Sequence, residues 1–180
     1  MLERKLKVKI CMVGDSAVGK TSLIKKFVLD IFDDAYITTI GTKITKRSVK
    51  LMEGEKETIM DMMVWDIMGQ TSFRSLLQDA YFYGTHGVIA VVDSTRPETL
   101  EGIHEWVQSI RQVVGEVPMI FVANKCDLES QITDGMLKDN LGRYDSKFMY
   151  SSAKTGENVS EAFKCLGDAI IDKYFPEMKS

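Results

Sequence analysis

The sequence has little of what marks secreted, membrane-spanning or disulfide-built chains. Its three cysteines, Cys11, Cys126 and Cys165, are an odd, widely spaced set with no CxxC pair. That set reads as reduced thiols in a cytosolic protein. Cys11 and Cys165 read as buried structural residues. His86 and His104 have no Cys or His partner at ligand spacing, so surface or helix-lining roles are expected of them. No apolar run approaches the roughly 20 residues needed to span a bilayer. The N-terminal "MLERKLKVKICMVG" alternates lysine with apolar residues and lacks the continuous apolar stretch of a signal peptide. Neither sign of charge dominates: the net charge is -3, which gives no reason to expect nucleic acid as a partner. Internal repeats, low-complexity tracts and linkers are also absent.

What is there is enough for one domain, 1–180, with a sizeable core: 44% of the residues are hydrophobic and 27% charged. Apolar runs alternate with helix-period segments nearly end to end. Leu6, Val8, Ile10 and Met12 alternate as in a strand. Leu23, Ile24, Phe27, Val28 and Ile31 then fall on one helical face. "ITKRSVKLMEGEKETIMDMMVWD" reads as two strands joined in a hairpin at Glu53-Gly54-Glu55-Lys56, its methionines filling core. "GVIAVVD" and "VPMIFVAN" are short apolar runs of the kind buried on both faces. Between them, Ser94 or Thr95 is expected to cap a helix with Pro97 in its first turn. Its inward stripe is Leu100, Ile103, Trp106, Val107, Ile110 and Val113, and Gly115 ends it. A weak helix in "SQITDGMLKDNLG", a strand "KFMYS" and a helix with Val159, Ala162, Phe163, Leu166 and Ile170 inward complete the order. Such alternation with one hairpin implies a mostly parallel sheet with helices on both faces. Ligands of such sheets bind outside the carboxyl ends of the strands.

The polar residues of interest all follow strand ends. "GDSAVGKTS", Gly14 to Ser22, fits G-x-x-x-x-G-K-[ST], a phosphate loop between a strand and a helix. Its residues are Gly14, Asp15, Ser16, Ala17, Val18, Gly19, Lys20, Thr21 and Ser22. Backbone N–H groups and the helix N-terminus suit an anion. Lys20 would reach the outer phosphates, and Thr21 would offer a hydroxyl to Mg²⁺. "NKCD", Asn124 to Asp127, follows a buried strand. A carboxylate such as Asp127 accepts from guanine's ring N–H and exocyclic amine, a donor pair that adenine lacks. Such polar mismatches discriminate by ~10⁴ or more. The stem of Lys125 can cover one face of the base, and Asn124 can tie this loop to the phosphate loop. "SSAK" follows the next strand and includes Ser152, Ala153 and Lys154; the Ala153 N–H is expected to meet the guanine carbonyl.

Together "GDSAVGKT", "TTIG", "WDIMGQ", "NKCD" and "SSAK" resemble the Ras superfamily of small GTPases, and "GDSAVGKTS", "YITTIG", "DSTRPETL" and "NKCDL" are most similar to the Rab branch. The resemblance spans about Lys5 to Phe175. It implies a P-loop NTPase three-layer α/β sandwich: a six-stranded, mostly parallel sheet with one antiparallel strand and five helices. It also implies a GTP/GDP ligand and a Mg²⁺ cofactor. Thr39 is then the threonine of the first switch, joining Mg²⁺ and sensing the γ-phosphate. Phe32 matches the aromatic that packs on the guanine, and Tyr36 the one that closes over the phosphates. Hydroxyls of Thr21 and Thr39, phosphate oxygens and waters satisfy an octahedral ion, with Asp66 holding one of its waters. Gly69 matches the glycine whose N–H meets the γ-phosphate, and Gln70 the glutamine that orients the attacking water. Gln70 and Lys20 are thus the expected catalytic pair. Arg74 lies near the second switch, but its usual match is structural.

Two departures stand out. The usual Asp-Thr-Ala-Gly-Gln-Glu is here Asp66-Ile67-Met68-Gly69-Gln70-Thr71. Met68 either bends away and packs, or displaces the second switch and slows hydrolysis or weakens Mg²⁺ binding. The first reading gives a slow GTP-hydrolysing switch, the second a GTP-binding interaction module. Thr71 removes a carboxylate that in relatives helps exchange factors displace the metal. Ser16 and Ala17 replace glycines of Ras proper, and Rab-like members carry this serine. The C-terminal "DKYFPEMKS" has no CaaX box, terminal cysteine pair or polybasic run, so no lipid anchor is encoded in these residues. The expectation is a cytoplasmic monomer with effector, exchange-factor and GTPase-activating partners.

Overall fold

Strand alternation at the N-terminus gives β1, Arg4–Val13, the first element of the computed structural model, which describes residues 4–33, 41–53, 56–69 and 79–179. The strands that follow are β2 (Thr42–Glu53), β3 (Lys56–Ile67), β4 (Gly87–Asp93), β5 (Met119–Asn124) and β6 (Lys147–Tyr150). The helices are α1 (Lys20–Leu29), α2 (Glu98–Val114), α3 (Asp134–Leu141) and α4 (Val159–Tyr174). A further helical turn occupies 79–82. With it the described residues supply the five helical segments of the expected fold.

The six strands form one sheet in the order β2-β3-β1-β4-β5-β6. Only β2 and β3 pair antiparallel, from Thr42 opposite Ile67 to Glu53 opposite Lys56. All other neighbours are parallel. The hairpin residues 54–55 lie outside the described residues, as do the expectations for Tyr36, Thr39, Gln70, Thr71 and Arg74.

The side-chain period of two divides the core in the same way along every inner strand. Val8, Ile10 and Met12 of β1 share one face with Met60, Met62 and Val64 of β3, and α1 and α4 cover it with Leu23, Phe27, Phe163 and Leu166. Cys11 and Val13 point the other way, to Trp106, Ile103 and Leu100 of α2 and Leu137 of α3. Every residue of β4 and β5 is buried, as strands covered on both faces must be. Of the three methionines of β3, Met60 and Met62 are fully buried filler, whereas Met63 is only half-buried.

Three local expectations fail. Ile31 is 53% exposed rather than inward, because Asp30 turns left-handed (φ 55°) and stops α1 at Leu29. Neither Ser94 nor Thr95 caps α2; Pro97 stands at the cap with no side-chain bond. Asp93 takes the Thr95 N–H and hydroxyl instead. Cys165 is only half-buried, its thiol 3.4 Å from Glu161 Oε1, whereas Cys11 is fully buried. His86 accepts the Lys9 N–H at 3.1 Å, and His104 shares a hydrogen bond with the Tyr144 hydroxyl.

Candidate functional site

The loops after β1, β3, β4, β5 and β6 leave the sheet at its carboxyl end and meet there. The phosphate loop runs from β1 into α1, whose N-cap is Gly19. Glycine is required at that cap: φ is 102°, and a Cβ would lie 2.2 Å from Asn124 Nδ2. Ala17 is also left-handed, at φ 63°. Val18 is fully buried and anchors the loop in the α1–α4 core.

Lys20 is buried at the centre of the loop. Its ammonium donates to Gly14 O at 2.7 Å and Asp15 O at 2.8 Å. Burial pushes its pKa down to about 8; Asp66 and Asp15 oppose that shift and Arg96 adds to it. An amine held this way gains from an anion placed against it. Thr21 Oγ1 donates to Asp66 Oδ2, bringing the helix N-terminus and the end of β3 together, and Asp66 is 2% exposed. A hydroxyl and a single carboxylate are hard oxygen groups that suit Mg²⁺, which takes its remaining ligands from water and substrate phosphates. Among the described residues no group of three or more His, Cys, Asp or Glu side chains gathers for a metal. The fit to Mg²⁺ therefore rests on Thr21 and Asp66. Ser22, next in α1, is half-buried.

The described residues after β3, expected to start the second switch, lie against this loop. A Cβ on Gly69 would stand 2.6 Å from the Asp15 carbonyl and the Ser16 nitrogen. Ile67 joins the α2-side core, and Met68 is 8% exposed.

Asn124 joins three loops with one side chain. Its Nδ2 donates to Val18 O at 2.9 Å, and its Oδ1 accepts the Ala153 N–H at 3.2 Å. Asp127 lies on the exposed rim and accepts from Ser152 Oγ at 2.5 Å. Lys125, left-handed at φ 69°, lays its stem back toward the phosphate loop and donates to Ala17 O at 2.9 Å. Lys154 is exposed beside them, and Phe32 is half-buried against the α1–α4 core.

Several residues of this network escaped the sequence reading. Asp93 closes β4 and binds both Lys125 and Arg96. Arg96 also reaches Ser16 O at 2.9 Å, and Trp106 Nε1 reaches Asp15 Oδ1 at 3.0 Å. Trp106 is also core, as its helical stripe implies. The available signal was the carboxylate ending the otherwise apolar "GVIAVVD".

Comparison with known proteins agrees with this geometry. A sequence model of the Ras family matches residues 9–172. The chain is 38% identical over 168 residues to the Ras-related protein Rab-13 of Bos taurus, covering 92% of this chain and 80% of that protein. It is 34% identical over 173 residues to the Ras-related protein SEC4 of Candida albicans, covering 94% and 80%. It is 37% identical over 168 residues to the Ras-related protein RABD2c of Arabidopsis thaliana, covering 90% and 79%. With its strand order, its phosphate loop and its strand-end motifs in one place, the chain belongs to the Ras family and is a Rab-like small GTPase.

Proposed function

We propose that this GTPase is a Mg²⁺-dependent guanine-nucleotide switch that hydrolyses GTP slowly by itself. The observation that carries the reading is Asn124, whose one side chain holds the phosphate loop and the "SSAK" loop around "NKCD". Base and phosphates would thus be read by one connected frame. Asp127, oriented by Ser152, accepts guanine's two donors. The Lys125 stem and Phe32 flank the base and Tyr36 closes over the phosphates, while Lys154 stands at the carbonyl edge. The Ala153 N–H, expected at the guanine carbonyl, instead donates to Asn124 Oδ1 and so braces this loop. N–H groups of Gly14 to Thr21 take the phosphates, and Lys20 neutralises charge that develops on them. Thr21, Thr39 and Asp66 would hold Mg²⁺ directly or through water; when bound it supplies further positive charge at the phosphates. Gln70 orients water for in-line attack on the γ-phosphate. Arg96 is engaged with Ser16 O and Asp93, so among the described residues it is not assigned to the transferred phosphoryl group. Turnover is then slow until an activating protein contributes. Loss of the γ-phosphate releases Thr39 and Gly69, and effectors read that change.

The rival reading is a GTP-binding interaction module in which Met68 spoils hydrolysis. Burial of Met68 beside a Gly69 seated on Asp15 and Ser16 supports the hydrolysing reading, because the long side chain is accommodated while the backbone stays at the loop. Single-turnover GTP hydrolysis of wild type, Gln70→Leu and Met68→Ala separates the two. Wild type should exceed Gln70→Leu by at least tenfold, or about 1.4 kcal/mol, and Met68→Ala should stay close to wild type. A wild type no faster than Gln70→Leu would remove the switch reading; a large gain in Met68→Ala would favour the module. We further propose a cytoplasmic monomer that works with exchange-factor, activator and effector proteins. Among the described residues no helix is long and apolar enough to cross a membrane.

A further inference from the structure

Two cations meet on one buried carboxylate behind the phosphate loop. Asp93, the last residue of β4, is 0% exposed. It accepts from Lys125 Nζ at 2.5 Å, Thr95 Oγ1 at 2.7 Å, Thr95 N at 2.9 Å and Arg96 Nε at 3.0 Å. The same cations continue to the phosphate loop. Arg96 Nη2 donates to Ser16 O and Lys125 Nζ to Ala17 O, each at 2.9 Å. Two consecutive carbonyls are therefore held from one side by groups that share Asp93.

The consequence follows from peptide geometry. A planar trans peptide points its N–H opposite its C=O. Holding Ser16 O and Ala17 O on the Asp93 side directs the Ala17 and Val18 N–H groups to the other side. Ala17 needs that support, because a left-handed non-glycine residue is disfavoured. Arginine suits the task better than lysine: its fork reaches the carboxylate and the carbonyl through different nitrogens.

We propose that Arg96 is a positioning residue for nucleotide retention, which with Lys125 and through Asp93 holds the Ser16–Ala17 stretch so that the loop's N–H groups face the phosphates. The proposal rests on the guanine-nucleotide reading above and adds to it a residue of the Rab-like stretch "DSTRPETL" to which the resemblance gives no role. The pair joins a buried carboxylate to a partly exposed guanidinium, so removing Arg96 also leaves Asp93 with one cation fewer, and stability is measured beside release. The positioning effect belongs in nucleotide release.

The test is the release rate of preloaded fluorescent GDP, chased with unlabelled GDP, for wild type, Arg96→Ala, Arg96→Lys, Lys125→Ala and the Arg96→Ala/Lys125→Ala pair. Arg111→Ala, at the far end of α2 where Arg111 pairs with Glu116 at 2.8 Å, is the control. Loss of a charge-assisted hydrogen bond predicts release about tenfold faster in Arg96→Ala. Arg96→Lys should be intermediate, and Arg111→Ala unchanged. Because both cations act through Asp93, the double variant should differ from the product of the single effects. Preference for GDP over ADP should be retained in Arg96→Ala, since Asp127 is untouched. Release from Arg96→Ala within about twofold of wild type, well below the loss expected for such a bond, overturns the proposal; so does a purely multiplicative double variant. If Arg96→Ala does not fold, Arg96→Lys must still release faster than wild type, and an equal rate overturns the proposal. A wild type that takes up no guanine nucleotide would instead defeat the switch reading, and the clamp with it.

Discussion

Gly69 touches the phosphate loop because it has no side chain. The atoms that an added Cβ would meet at 2.6 Å are backbone atoms of Asp15 and Ser16, which cannot swing aside. Gly69→Ala should therefore lift the start of the second switch off the loop. If the Gly69 N–H senses the γ-phosphate, affinity for a non-hydrolysable GTP analogue falls about tenfold while GDP affinity is nearly kept. Titration calorimetry reads both, and an unchanged analogue affinity would contradict the assigned role. Asp61 shows a different residue-scale effect. Lys46 Nζ at 2.8 Å, then Ser48 Oγ at 2.5 Å, hold its carboxyl down at about 2, with Lys5 further off at 3.5 Å. The folded-state value lies below the ordinary 3.8, so the folded state binds fewer protons between them. The cluster's contribution is complete above pH 3.8 and is lost as pH falls through about 2. Asp61→Asn should flatten the stability curve in that window. Urea midpoints from neutral pH down to pH 2 check it, and a variant curve parallel to wild type would contradict the assignment.

At the scale of elements, α1 and α4 are joined by the stacked rings of Phe27 and Phe163, with centroids 3.7 Å apart and planes within 3°. Phe163 is 1% exposed. Phe163→Ala should destabilise the fold by roughly 3–5 kcal/mol, through lost burial and a cavity that α1 cannot close without moving the phosphate loop. Denaturant unfolding measures it, and a loss below about 1 kcal/mol would mean that the two helices do not depend on this contact. Both phenylalanines were legible as inward residues, because helical period marks a face. So were all six strands, since alternation and short apolar runs are local signals. Where α1 ends was not legible: Ile31 keeps the period, but Asp30 leaves the helix in a left-handed turn. Nor was the start of α2, because Thr95 serves the Asp93 carboxylate rather than the helix end.

At the scale of the whole molecule, parallel strands deliver their following loops to one end of the sheet, and that is why motifs far apart in sequence meet. Three strand-end motifs were readable because each is a fixed string of residue types. The links between them were not, since Arg96 to Ser16 and Asn124 to Val18 span 80 and 106 residues and depend on strand order. The side chain of Met68 was equally illegible: period and spacing do not say whether a long thioether beside a phosphate loop is buried or displaced. The central claim is that these loops make one guanine-nucleotide site. Competition of unlabelled GTP and ATP against bound fluorescent GDP, with Mg²⁺ present, tests it most directly. With Asp127 reading guanine's donor pair, ATP should need roughly 10⁴-fold more than GTP for the same displacement; ATP displacing the probe within about tenfold of the GTP concentration would contradict it.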